Sequence, residues 1–201
     1  IKEVSEEESL EPLTDYSKFK VKCENVLLSH TGPNFIGSIL RPATVCGYSP
    51  RQRLDLVVNI LTNLGYHKKE ITIFGGKQLR PNIHIDDMVN AYICIMNSDL
   101  NKIKNQIFNV GFENQSVEAL ALNVKKNISG DVKLSYKKSD DNRSYHISSK
   151  KISRVLGFTP KKNIDQAIKD LIQAFDKKKL TNTFSDENYF NIKKMQKINL
   201  N

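Results

Sequence analysis

Tyr16 and Lys20 stand four residues apart in the pentapeptide Tyr16-Ser17-Lys18-Phe19-Lys20. On a helix that spacing sets both side chains on one face. A phenol titrates near about 10, so a tyrosine is by itself a poor base at neutral pH. A neighbouring ammonium favours the phenolate and draws that value down. The pair is then a sensible general acid/base for moving a hydroxyl proton. Five residues are a short motif, and they suit an ordinary pair on a solvated helix as well. The pentapeptide alone leaves both readings open.

The elements that must position the pair can be read around it. Thr14 is a candidate N-cap, Asp15 sits in the first turn, and the helix should run to about His30. Phe19, Cys23, Val26, Leu27 and His30 share one face of a 3.6-residue period. Thr31-Gly32-Pro33-Asn34 stops it. Residues 35–40 read as a buried strand, and 41–47 as a loop marked by Pro and Gly. A helix over 54–64 is expected to close at Gly65. Strands follow at 71–74 and 83–85, and Asp86 is expected to cap a helix through Met96. Beyond these come a strand at 107–111, a helix at 117–128, a strand at 132–136 and helices at 149–156 and 164–177. Gly157 suits a helix C-terminus. Residues 1–11 read as an acidic loop, and 179–201 as a loosely held polar tail. Alternating helices and strands predict an α/β fold.

Composition narrows the classes. Of the 201 residues 39% are apolar and 26% charged, which excludes a wholly disordered or fibrous chain. No stretch approaches the roughly 20 apolar residues of a membrane span. Lys outnumbers Arg 25 to 6, and Asn and Ile reach 20 each, so the net charge of +9 reflects composition more than a built basic patch. The charge is uneven: residues 1–15 carry −5 and the rest +14. The lysines are scattered and the aromatics sit at core-like positions, which disfavours nucleic acid as a partner. No spacing among Cys23, Cys46, Cys94 and the four histidines suits a metal. Three widely separated cysteines predict a reducing, cytoplasmic setting.

From about Glu7 to Phe175 the chain resembles the C-terminal two-thirds of the extended short-chain dehydrogenase/reductase family, the NAD-dependent epimerases and dehydratases of nucleotide sugars. The matching blocks occur in order. An acidic, Pro-containing loop at Glu8–Pro12 precedes Tyr16 and Lys20. Leu40-Arg41-Pro42-Ala43-Thr44-Val45-Cys46-Gly47 follows, with Cys46 where tyrosine is more usual. Ser49 to Asn59 resembles the substrate-side helix. Ile71 to Pro81 with Ile83-His84-Ile85-Asp86-Asp87 is the most specific block. Phe108-Asn109-Val110-Gly111, Asp141 to Tyr145, and Ser149 to Pro160 complete it.

The resemblance implies a fold and a site. The fold would be the C-terminal part of a doubly wound Rossmann-type parallel sheet with a small α/β substrate-binding lobe. Residues 1–46 and about 77–98 would belong to the dinucleotide-binding domain, and about 47–76 and 99–178 to the substrate lobe. Tyr16 and Lys20 would be catalytic and would also contact NAD, or NADP in its place. A positively charged nicotinamide would further lower the Tyr16 pKa. Pro42, Thr44 and Val45 would line the nicotinamide. Asn59, Arg80, His84 and Arg143 would line the nucleotide-sugar site, the arginines gripping diphosphate. No GxGxxG stands among the nine glycines, and the chain opens without methionine. An upstream phosphate-binding part is therefore expected, in an enzyme of roughly 300 residues. The full-length protein is expected to be a homodimer, and the 201 residues alone inactive. A non-catalytic relative serving as an RNA- or protein-binding scaffold is the alternative.

Overall fold

A computed structural model describes residues 3–139 and 144–198. The chain is α/β, as the alternation predicts, and among the described residues three of the four strand pairs are parallel. It opens with α1 (Asp15–Ser29), β1 (Ser38–Pro42), β2 (Thr44–Cys46) and α2 (Val57–Lys68). Then come β3 (Glu70–Phe74), β4 (Leu79–His84), α3 (Ile85–Met96), α4 (Leu100–Ile103) and β5 (Gln106–Val110). β6 (Glu113–Ser116), α5 (Val117–Asn127), β7 (Lys133–Lys137), α6 (Lys150–Leu156), α7 (Ile164–Asp176) and α8 (Asn191–Lys197) complete the order.

β1 pairs with β5 in parallel, Leu40 opposite Phe108. β4 lies between β2, which it meets in parallel, and β6, which it meets antiparallel. β3 and β7 form the third parallel pair. One core gathers Ile83, Met88, Phe108, Val110, Ile152 and Phe158 around β5 and α3. A second joins α2, α5 and α7 over Ile71 and Ile73. A third collects Leu54, Leu171, Phe175 and Leu180.

The capping expected of Thr14 is realised in full. Its hydroxyl accepts from the Ser17 N–H, and the Ser17 hydroxyl accepts from the Thr14 N–H. α1 buries none of its residues, and a bidentate ion pair ties it to β1: Arg41 Nη2 lies 2.6 Å from Glu24 Oε2 and Nε 2.9 Å from Oε1.

Five local expectations are corrected. The expected 41–47 loop holds β2 at Thr44–Cys46, where Val45 pairs with Ile83. Gly65 does not end α2, which runs three residues further and closes at Lys69 in the left-handed region. A Cβ on Gly65 would lie 2.7 Å from Ile128 Cδ1 and 3.2 Å from Ile71 Cδ1, so the glycine lets α2 approach its neighbours. Asp86 does not cap α3; His84 does, its Nδ1 accepting from the Asp86 N–H at 3.1 Å. β6 was not visible in the sequence. The segment beyond Lys179 is packed, with Leu180 and Thr183 buried and Tyr189 and Phe190 against Leu54 and Phe175.

Candidate active site

The N-terminal acidic segment is pinned rather than loose. Val4 bridges to Ile147, and Asn109, buried at the end of β5, donates through Nδ2 to the carbonyls of Val4 and Ser148. Glu6 Oε1 accepts from the Asn109 N–H at 2.7 Å. This docking holds residues 3–13 in front of the first turn of α1. Between them lies a cavity of about 710 Å³, lined by Glu8, Glu11, Thr14, Tyr16, Ser144 and Tyr145 among others. Tyr16 is 73% exposed, and Lys20 Nζ lies 5.8 Å from its ring centroid. The four-residue spacing thus brings ammonium and phenol side by side on a face open to a small molecule.

A second cavity, about 490 Å³, lies beside it. Asp55, Leu56 and Val57 form one wall at the start of α2; Thr72, Phe74, Gln78 and Arg80 form the facing one. Thr44 and Tyr145 also line it. Arg80 projects from β4, with Nη1 donating to the Leu79 carbonyl at 3.0 Å and Cζ 6.0 Å from the Tyr145 ring centroid. Tyr145 therefore belongs to both cavities, and sequence reasoning did not single it out. The hint was its place in the polar Asn142-Arg143-Ser144-Tyr145 run. The Ser144 hydroxyl accepts from the Leu79 N–H, which tethers Tyr145 beside β4.

Other expected site residues lie elsewhere. Asn59 is buried: Oδ1 accepts from the Gly47 N–H at 3.1 Å and Nδ2 donates to the Arg53 carbonyl at 2.8 Å. It closes the loop between β2 and α2 and lines neither cavity. His84 is also buried, against Gly47, where a Cβ would lie 3.1 Å from its Nε2. Gly47 needs its φ of 101° as well as that space. Since His84 Nδ1 accepts, Nε2 carries the proton and donates to Asp170 Oδ2 at 3.1 Å. Pro42 ends β1 and is exposed; Val45 packs into the β5 core. Arg143 and the Asp141–Arg143 part of its block lie outside the described residues.

Among the described residues His84, Asp86 and Asp170 bring ligand-type atoms within 4.8 Å of one another. The Lys162 ammonium already pairs with both carboxylates of that group, 2.5 Å from Asp86 Oδ2 and 3.9 Å from Asp170 Oδ2. The hydrogen bond to Asp86 holds the Lys162 amine above its ordinary range. Also among the described residues, no helix is long and apolar enough to cross a membrane.

Residues 1–111 match the family model for NAD-dependent epimerases/dehydratases. Solved structures give the same fold. The UDP-glucose 4-epimerase of Thermotoga maritima, solved with UDP-glucose, is 26% identical with a TM-score of 0.77, over 90% of this chain and 59% of that one. The UDP-glucuronic acid 4-epimerase of Bacillus cereus, solved with UDP-glucuronic acid and NAD, is 25% identical with a TM-score of 0.77, over 88% and 57%. The dTDP-glucose 4,6-dehydratase of Bacillus anthracis, at 17% identity and a TM-score of 0.76, shares the fold over 96% and 59%. The chain thus spans somewhat under two thirds of these relatives.

Proposed function

The chain belongs to the NAD-dependent epimerase/dehydratase family, and from that premise we propose that it carries the acid/base pair and the substrate site of an enzyme that epimerises, dehydrates or reduces the sugar of a nucleotide sugar. The observation that carries this reading is the shared wall at Tyr145. One cavity is lined by a phenol that has an ammonium beside it, the adjoining one by an arginine beside the Tyr145 ring. A sugar in the first and a nucleotide in the second would place the connecting diphosphate near Arg80, whose planar fork suits it.

In this reading Tyr16 removes a hydroxyl proton from the sugar, and Lys20 stabilises the phenolate that does so. NAD or NADP, when bound, would supply the acceptor for the hydride that leaves the sugar carbon. The chain's residues fit such a group. Pro42 stands at the carboxyl end of β1, parallel to β5, with Thr44 and Val45 opening β2 beyond Ala43. Open α/β sheets bind ligands outside the carboxyl ends of their strands. Asn59 and His84 act from behind, one closing the β2–α2 loop and the other capping α3.

Turnover, in this reading, belongs to a longer protein that also supplies a cradle for the cofactor phosphates. The 201 residues hold no GxGxxG, and the relatives extend well beyond the matched part. The exposed Phe19, Val26 and Phe35 support a homodimer, and three free cysteines support a cytoplasmic setting.

Arg80→Met tests the substrate reading in the protein that carries this chain. The methionine keeps the apolar stem and loses the fork. With UDP-glucose, UDP-glucuronic acid and dTDP-glucose offered in turn, KM for the substrate turned over is expected to rise about 30-fold, the worth of a lost charge-assisted pair. An unchanged KM contradicts a diphosphate site at Arg80.

A further inference from the structure

The Arg80 cavity has a wall held from two sides. α2 opens after Leu56 without a side-chain cap, and Leu56 and Val57 face the cavity. Asn59 ties the helix start locally to the Arg53 carbonyl, and a second set of bonds comes from far along the chain. The Leu54 N–H donates to the Tyr189 carbonyl at 3.0 Å. The Asn191 N–H donates to Asp55 Oδ2 at 3.0 Å. Arg51 reaches across with Nη1 to the Asn188 carbonyl and Nη2 to Asn191 Oδ1, both at 3.1 Å. Four hydrogen bonds thus tie residues 51–55 to 188–191, across more than 130 residues of sequence.

Both partners of this tie are themselves anchored. Leu54 is fully buried against Leu171, Phe175 and Leu180, and the Lys179 ammonium lies 5.1 Å from the Tyr48 ring centroid. Asp55 is gripped on its other side by Arg53, Nε to Oδ1 at 2.9 Å and Nη2 to Oδ2 at 3.0 Å. Burial pushes the Asp55 carboxyl up, but the Arg53 and Asn191 hydrogen bonds outweigh it and hold the group below its ordinary value of 3.8. At neutral pH a carboxylate therefore faces the cavity, with its lone pairs turned to protein donors. Loosening those donors frees negative charge beside the expected diphosphate.

We propose that residues 188–191 form a strap that sets the position of Asp55, Leu56 and Val57 and so shapes the cavity for its ligand. Arg51, Asp55 and Asn191 are positioning residues. The consequence for affinity rests on the nucleotide-sugar reading above; the mechanical part does not.

Asn191 offers a clean test because it is the first residue of α8. Proline is well tolerated there, and Phe190 before it is extended, as a residue preceding proline prefers. Asn191→Pro removes the N–H that Asp55 accepts and the side chain that Arg51 reaches. Asn191→Ala removes only the latter. Two readouts are taken on the full chain: amide exchange at Leu54 and Ile60, and calorimetric titration with UDP-glucose.

Asn191→Pro is expected to speed exchange at both amides. It should weaken UDP-glucose about ten-fold, the scale of one hydrogen bond to a charged group. Asn191→Ala should change the affinity less than about three-fold. Arg51→Met should shift both readouts in the same direction as Asn191→Pro, and it stands in should the proline variant fail to fold. Unchanged exchange at Leu54 and Ile60 in Asn191→Pro and in Arg51→Met overturns the strap. Faster exchange in the two variants, with a wild-type chain that binds no nucleotide sugar, upholds the strap and sinks the nucleotide-sugar reading instead.

Discussion

Replacing Tyr16 by phenylalanine is expected to lower turnover by about 10²- to 10⁴-fold, the range for removing a positioned general acid/base. The ring and its contacts stay, and only the hydroxyl goes. Tyr16 is largely exposed on α1, which buries no residue at all, so the substitution should leave the melting temperature unchanged. Affinity for the sugar nucleotide should also hold, because the Arg80 cavity is built by β3, β4 and the start of α2. Steady-state assay in the protein carrying this chain, with either nicotinamide cofactor, reads the result. A kcat within a few-fold of wild type would remove Tyr16 from the chemistry. A parallel loss of stability would recast it as structural.

The second large effect is on the fold. Phe108 is fully buried in β5 and packs with Ile83, Met88, Val110, Ile152 and Phe158. Phe108→Ala is expected to cost about 3–5 kcal/mol, from lost transfer energy and the cavity left behind. Urea denaturation should show the midpoint fall with an unchanged slope. The site should feel the change too, since β5 carries β1 in register and Asn109, next to Phe108, pins the acidic segment before Tyr16. A loss below about 1 kcal/mol would mean that this core re-packs freely around the gap.

How much of this was legible in the sequence depends on what each residue had to signal. α1 was legible because Thr14 reads as an N-cap with Asp15 in the first turn and the apolar period is regular. β2 was hidden by Pro42 and Gly47, which read as loop markers, while β1, β3, β5 and β7 were legible as short apolar runs. β6 was not: Glu-Asn-Gln-Ser has no β-branched or aromatic side chain, and its pairing is dictated by β4. Gly65 carried the stop signal of a glycine after an apolar run, yet its role is close packing against Ile128 and Ile71, which only the fold reveals. The block resemblance implied a place for His84 at the nucleotide-sugar site, and the residue type alone did not announce that it is buried. Its burial, and its capping bond to Asp86, depend on β4 lying between β2 and β6. The last segment looked loose because Leu180, Tyr189 and Phe190 follow no period. They pack irregularly on Leu54 and Phe175, where no period is needed.

The candidate site divides in the same way. Tyr16 lines one cavity with Lys20 beside it, and Thr44 and Arg80 line the other. Tyr145 and Asp55 were missed. Their value lies in joining and shaping cavities, a property of three-dimensional neighbours that neither residue type nor spacing announces.

The central claim is that one ligand spans the Arg80 and Tyr16 cavities across Tyr145. Amide chemical-shift mapping of the isotopically labelled chain during titration with UDP-glucose, dTDP-glucose and an ADP-sugar tests it most directly. The account predicts saturable shifts with at least one of them at Leu56, Val57, Arg80 and Tyr145, continuing to Thr14–Tyr16 only when the sugar is present and not with the free nucleotide. Saturating additions of all three that leave those amides unmoved, or that shift only residues remote from both cavities, would contradict it.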